Sequence, residues 1–326
     1  MNNGYPDAVS VTGLAKKFGD VTAVESVTFN VKSGEFFGLL GPNGAGKTTT
    51  INMLTGLARP DKGTILIGGV DCIKKPRAAQ SLIGVVPDES NLYPELTGLE
   101  NLCFCASLYG FQKKERVLRA KRLLNDFGLA QAASRKFAGY SKGMKRKLTI
   151  AAGIIHDPAI LFLDEPTTGI DVSSARQIRG LLHELHEKET TIFLTTHYIE
   201  EAERLCGRIA FIVNGRIIKT ESVEDLIRPV KDRHLLRIVC SSGVNGLKDD
   251  LKTRFNYDSI KITGEKTLRI EDSRPVPAGP IVRFLEEHDI EVFEAARQRP
   301  SLEDVFVEIT GIESKAMNKE KAGGRK

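Results

Sequence analysis

Apolar and β-branched residues alternate with polar ones over residues 9–18 and again over 21–31, and Gly19-Asp20 separates the two runs. A period of two on either side of a turn predicts an antiparallel pair of strands. The pattern then changes. Residues 36–40, 159–163 and 191–195 are almost continuously apolar, as expected of parallel strands covered by helices on both faces. Residues 63–67, 82–86 and 208–214 read as further strands. Between Asn91 and Ile155, apolar residues recur three to four apart over 99–109, 113–127 and 142–155, which predicts three helices hung on the sheet as an insert. After Pro229 the reading restarts. It gives a strand at 235–240, a helix at 244–255, a hairpin of 259–263 with 267–271 around Gly264, a helix at 280–288, and an extended segment at 291–296. A last helix, 301–309, has Ser301 as its cap and Asp304 at its third position.

The pattern therefore predicts an α/β fold with an antiparallel β part, a helical insert at about 90–157 and a core spanning 1–232. A second small α/β domain follows at 233–312, compatible with a ferredoxin-like βαββαβ order. Residues 313–326 are short of apolar side chains and are expected to be disordered. At 326 residues the chain is long enough for a sizeable core. The net charge of +5 is local, because five basic residues stand against two acidic ones after Ile312. So mild a balance does not point to nucleic acid. The five cysteines are scattered without zinc-finger spacing and read as reduced thiols of a cytosolic protein. No run approaches the roughly 18 apolar residues of a membrane span, and no signal peptide is visible.

Chemistry concentrates at residues 41–49, GPNGAGKTT, which lie directly between an apolar strand and a helix start. Gly41, Gly44 and Gly46 leave the backbone free to turn its amides inward around a polyphosphate, with Pro42, Asn43 and Ala45 completing the loop. Lys47 would reach the β- and γ-phosphates, and Thr48 would offer a hydroxyl to Mg²⁺. Thr49 follows in the first helical turn, whose dipole favours the anion. Asp164 and Glu165 close the apolar run 159–163, at the carboxyl end of a predicted buried strand, where ligands of open α/β sheets bind. One acid there can hold Mg²⁺ through its water shell and the next can orient or deprotonate a water. Thr195-Thr196-His197 ends another such strand. Ser141, in YSKGMKR, caps a helix, and with Gly143 it makes a second anion-seeking helix start. Two such starts in one chain suggest a ligand shared between two copies.

GPNGAGKTT, YSKGMKR, ILFLDEP, TTGID and TTH, in this order over about residues 8–228, resemble the ATP-binding cassette (ABC) ATPases. The form YSKGMKR and the ending SLEDVFVEITG look most like the branch serving exporters of drugs, lipids, polysaccharides or ions. The resemblance implies a P-loop NTPase core that binds and hydrolyses ATP with Mg²⁺. It implies that Phe18 stacks on adenine, Asp164 assists Mg²⁺, Glu165 is the general base and His197 contacts the γ-phosphate. Ser141 and Gly143 would close over the nucleotide of the opposite protomer, with Asp171 at the seam of a head-to-tail homodimer. It further implies polytopic permease subunits and a place on the cytoplasmic face of the membrane, while the cargo is not encoded. Asp88 stands where the family usually has a glutamine that feels the γ-phosphate and Mg²⁺. Metal contact remains open to it, but the relay to the membrane partner is in doubt. Lys142 and Met144 replace the commoner glycine and glutamine. A soluble ABC-type ATPase acting on nucleic acid or ribosomes is the alternative, though such chains usually carry two cassettes or long coiled coils. A regulator that binds nucleotide without turnover would not need Lys47, Asp164, Glu165 and His197 together.

Overall fold

The computed structural model describes residues 7–262 and 265–312, together with Met317. Two compact units emerge, Met1–Val223 with Thr310–Lys326, and Glu224–Ile309.

In the first unit, β1 (Asp7–Phe18) and β2 (Val21–Lys32) form the expected hairpin, in which Phe18 pairs with Val21. Next come β3 (Phe36–Leu40), α1 (Lys47–Leu54), β4 (Lys62–Ile67), β5 (Val70–Asp71), α2 (Pro76–Gln80) and β6 (Ile83–Val86). The insert supplies α3 (Gly98–Leu108), α4 (Lys113–Asp126) and α5 (Lys142–Gly153). The unit continues through β7 (Ile160–Asp164), α6 (Val172–Glu187), β8 (Thr191–Thr196), α7 (Ile199–Leu205), β9 (Arg208–Val213) and β10 (Arg216–Ser222). One sheet is antiparallel, in the order β2-β1-β4-β5. The other runs β10-β9-β3-β8-β7-β6 and is parallel except for β10.

Every residue of β3, β7 and β8 is buried, which is why their sequences do not alternate. α1 buries Ile51, Met53 and Leu54 in a core shared by both sheets. Phe29 of β2 and Phe37 of β3 stack there with centroids 5.6 Å apart, and Phe37 stacks on Phe193 at 5.6 Å. Burying each such ring stabilises the fold by roughly 2–3 kcal/mol. Register then sets the function. Leu40 pairs with Thr196, and Thr195 pairs with Asp164, so β3, β8 and β7 end level and their following loops share one rim.

β5, α2 and α7 escape the sequence reading, and so do three further elements. α6 packs Ala175, Ile178 and Leu182 inward at helical spacing behind its cap Asp171. β10 follows Asn214-Gly215, both at positive φ, as a tight hairpin requires. The third, α8 (Val223–Lys231), is amphipathic and carries Pro229 within it.

The second unit adds β11 (His234–Cys240), α9 (Lys248–Phe255), β12 (Ser259–Ile262), β13 (Thr267–Asp272), α10 (Ala278–Glu286), β14 (Val292–Gln298) and α11 (Leu302–Thr310). Its antiparallel sheet runs β12-β13-β11-β14, the strand order of a ferredoxin-like βαββαβ unit. Leu251, Ile281, Phe284 and Leu285 of α9 and α10 pack on Leu236, Ile238, Leu268 and Ile270. At the start of α11 the Asp304 carboxylate accepts the Ser301 N–H at 2.9 Å. The turn at Gly264 and the tail, Met317 excepted, lie outside the described residues.

Candidate active site

The loop after β3 is held by what surrounds it. Gly46 adopts φ +102° as it opens α1, and a Cβ there would lie 2.5 Å from the Ala23 carbonyl, so only glycine fits. The Ala45 carbonyl accepts the Gly215 N–H at 2.9 Å, which ties the loop to the β9–β10 turn. The Ala45 N–H turns back to Pro42, and the Asn43 N–H donates to the Met317 carbonyl at 3.4 Å. Gly44 is exposed at φ +75°, and Gly41 is buried at the end of β3. Thr49 sits in the first turn of α1.

Lys47 is only 4 % exposed. Its Nζ donates to the carbonyls of Gly41 at 2.9 Å and Pro42 at 3.1 Å, and it lies 3.2 Å from Glu165 Oε1. Burial lowers the pKa of this ammonium against the pull of Glu165, so the loop holds a desolvated cation beside its amides. Asp164 is buried and accepts the hydroxyls of Thr195 and Thr48. Burial raises its pKa while those hydroxyls oppose the rise. A carboxylate joined to the loop hydroxyl is a donor pair suited to Mg²⁺, which takes one or two protein oxygens and completes its shell with water and phosphate.

Glu165 occupies the left-handed region at φ +47°, a strained conformation for a side chain of this kind. Its Oε2 accepts the Thr168 hydroxyl at 2.9 Å and lies 2.6 Å from His197 Nδ1. Burial pushes this carboxyl up, but His197 and Lys47 outweigh it and hold the group at about 2. A carboxylate depressed in the fold adds stability above the unfolded value of 4.5, and that stability is lost as pH falls toward 2. Nucleotide-free Glu165→Gln protein should therefore be less stable at neutral pH, by at most about 3 kcal/mol. Chemical denaturation should show the gap closing below about pH 4.5, and a gap constant down to about pH 3 would refute the coupling.

Arg146, on α5, is also buried. It donates to the Pro87 carbonyl at 2.5 Å and the Glu165 carbonyl at 3.0 Å, and its Nη2 is 3.4 Å from Asp88 Oδ1. Burial raises the Asp88 pKa and Arg146 counters it. The short acid at the end of β6 is thus drawn into the same cluster.

Lys47, Thr48, Asp88, Asp164, Glu165 and His197 therefore converge. Ser141, Gly143 and Asp171 form another group. Ser141 caps α5 by accepting the Met144 N–H at 3.3 Å, and Asp171 caps α6 by accepting the Ser174 N–H at 2.9 Å. A Cβ on Gly143 would lie 2.2 Å from Ser174 Oγ, so the glycine lets the two helix starts touch. Lys142 is exposed. Phe18 is 55 % exposed at the tip of the first hairpin, with Lys16 Nζ 5.4 Å from its ring centre, and so it is no core residue. Sequence reasoning missed Arg146, Thr168 and Thr195. All three lie inside or beside the quoted motifs, but nothing in the pattern says which way they point.

Comparison with known proteins agrees with this geometry. The ABC transporter family profile matches residues 24–168. The linearmycin resistance ATP-binding protein LnrL of Bacillus subtilis (strain 168) is 36 % identical over 301 residues, covering 91 % of this chain and 96 % of that one. The Nod factor export ATP-binding protein I of Paraburkholderia xenovorans (strain LB400) is 38 % identical over 308 residues, covering 94 % and 98 %. Among solved structures, a dimeric post-hydrolysis state of the ATP-binding cassette MJ0796 bound to ADP and Pi matches with a TM-score of 0.61 at 29 % identity. It covers 66 % of this chain and 98 % of that one. The phosphate loop, the level strand ends and these relatives lead to one assignment: the chain belongs to the ATP-binding proteins of ABC transporters, which hydrolyse ATP to drive transport.

Proposed function

We propose that two copies of this chain close head to tail on two Mg·ATP molecules and separate after hydrolysis, driving export through permease subunits at the cytoplasmic face of the membrane. The observation that carries this reading is the division of the predicted site residues into two groups. The cluster around Lys47 is built to grip a triphosphate, and the abutting helix starts of Ser141, Gly143 and Asp171 offer amides to an anion from elsewhere. The relatives named for resistance and export support the direction, and the dimeric cassette supports the pairing.

Within this reading, Lys47 and the loop amides neutralise the β- and γ-phosphates while Phe18 stacks on the base. Thr48 and Asp164 would hold Mg²⁺, and Asp88, drawn to the same cluster by Arg146, would be a further oxygen donor. When bound, the metal would supply charge neutralisation on the transferred group. Glu165 takes the proton of the attacking water, and His197 contacts the γ-phosphate and keeps the Glu165 carboxylate aimed. Residues 1–232 form the nucleotide-binding domain, and 233–312 a separate one.

Among the described residues no helix is long and apolar enough to cross a membrane. The insert exposes Tyr93, Leu108 and Leu118, apolar surface suited to a permease. A Ser141→Arg chain tests the shared ligand. It should bind ATP as the unsubstituted chain does, yet fail to dimerise with ATP and lose roughly 10²-fold in turnover. Light scattering of the eluting protein, with and without ATP, reads the first effect. ATP-dependent dimers of Ser141→Arg protein would exclude the arrangement.

A further inference from the structure

α7 carries a buried acid that the mechanism above does not use. Glu201 is 4 % exposed, and no cation among the described residues lies within ion-pair distance of it. Its Oε1 accepts the Thr167 hydroxyl at 2.6 Å, and its Oε2 accepts the Thr196 hydroxyl at 2.8 Å. Thr196 Oγ1 in turn accepts the Tyr198 N–H at 3.0 Å, which fixes its direction. Keeping a carboxylate out of water on two hydroxyl bonds is unfavourable, so the fold retains it against a penalty.

The neighbours of those two threonines explain what it holds. Thr168, next to Thr167, donates to Glu165, and His197, next to Thr196, lies against the same Glu165 oxygen. Thr167 and Thr168 lie in the turn after β7, where the Thr168 N–H donates back to the Glu165 carbonyl at 3.2 Å, and Thr196 is the last residue of β8. Glu201 therefore holds the two segments whose neighbouring side chains, Thr168 and His197, touch Glu165. One of those segments runs on to Asp171 and the other carries His197.

We infer that Glu201 is a positioning residue for hydrolysis, locking the 166–171 loop to the end of β8 so that Thr168 and His197 hold Glu165 toward its water. This rests on the proposed role of Glu165 as the base. It assigns Glu201 no contact with nucleotide, so binding and turnover should separate.

Glu201→Gln keeps the shape, but its amide nitrogen donates, so the threonine facing it must accept where it had donated and its own proton loses its acceptor. The full-length variant should bind ATP within about twofold of the unsubstituted chain, unfold at an unchanged temperature within a few degrees, and turn over roughly 10-fold more slowly. Thr167→Val should slow turnover in the same sense, and combining it with Glu201→Gln should add little beyond Glu201→Gln alone. Normal turnover in Glu201→Gln, or turnover lost only together with ATP binding, overturns the inference. If Glu201→Gln fails to fold, the two variants Thr167→Val and Thr196→Val decide the matter, and normal turnover in both overturns it. Glu165→Gln is measured alongside. Normal turnover there removes the base assignment and this inference with it, whereas an inactive Glu165→Gln beside a normal Glu201→Gln removes the inference alone.

Discussion

Glu165→Gln protein is expected to bind ATP at least as tightly as the unsubstituted chain while hydrolysing it some 10²–10⁴-fold more slowly, the range a general base contributes. The amide matches the carboxylate in size and keeps an oxygen for the Thr168 hydroxyl, so the local fold survives. What it loses is the ability to take a proton. Its effect on binding follows from the nucleotide-free geometry. There the Lys47 ammonium faces Glu165 Oε1 at 3.2 Å, and an arriving phosphate must compete with that carboxylate for the same cation. Removing the charge frees Lys47. ATP should therefore accumulate on the variant and hold it as a dimer. Phosphate release, equilibrium binding of a fluorescent nucleotide, and light scattering measure the three effects separately. Hydrolysis at the ordinary rate would mean that another group activates the water.

Lys47→Ala should fail one step earlier, losing roughly 10²–10³-fold in kcat/KM with most of the loss in nucleotide binding. The ammonium reaches both loop carbonyls, Gly41 and Pro42, while facing Glu165. Without it, the Glu165 carboxylate stands opposite the incoming phosphates without its ammonium partner. Lys47→Arg should not rescue the loss. The side chain is 4 % exposed, and a planar guanidinium carries its charge over a fork that this enclosed site has no room to seat. Titration with fluorescent nucleotide checks both variants. Affinity within twofold of the unsubstituted chain in Lys47→Ala would displace Lys47 from the centre of the site.

The strands of the parallel sheet were legible because burial on both faces leaves unbroken apolar runs, and the phosphate loop because glycine spacing is tied to backbone geometry. β10 was signalled only by Asn214-Gly215, a turn pair that the reading passed over as the end of a strand. α6 shows its inward face through Ala175, Ile178 and Leu182. That is a narrow stripe among polar residues, easily lost beside the acids and glycines before it. The candidate site was legible in its residue types, while their grouping came from the two helix starts and the family resemblance and not from any contact the sequence shows. Register brings Asp164 level with Thr195, and that pairing is set by sheet order, which no local pattern encodes. Arg146 was invisible for a related reason. A lone arginine on a helix normally projects into water, and only the fold turns this one inward, against the carbonyls of Pro87 and Glu165.

The placement of that guanidinium bears on how the machine keeps time. In the proposed pair, the helix whose Ser141-capped tip would face the neighbouring copy also holds, about one turn further on, the backbone carbonyl of Glu165. A tilt of α5 would pull on the carbonyls of Pro87 and Glu165 through Arg146. Under the proposed arrangement, arrival of the companion would thus be felt at Glu165 through one lever, with no separate messenger.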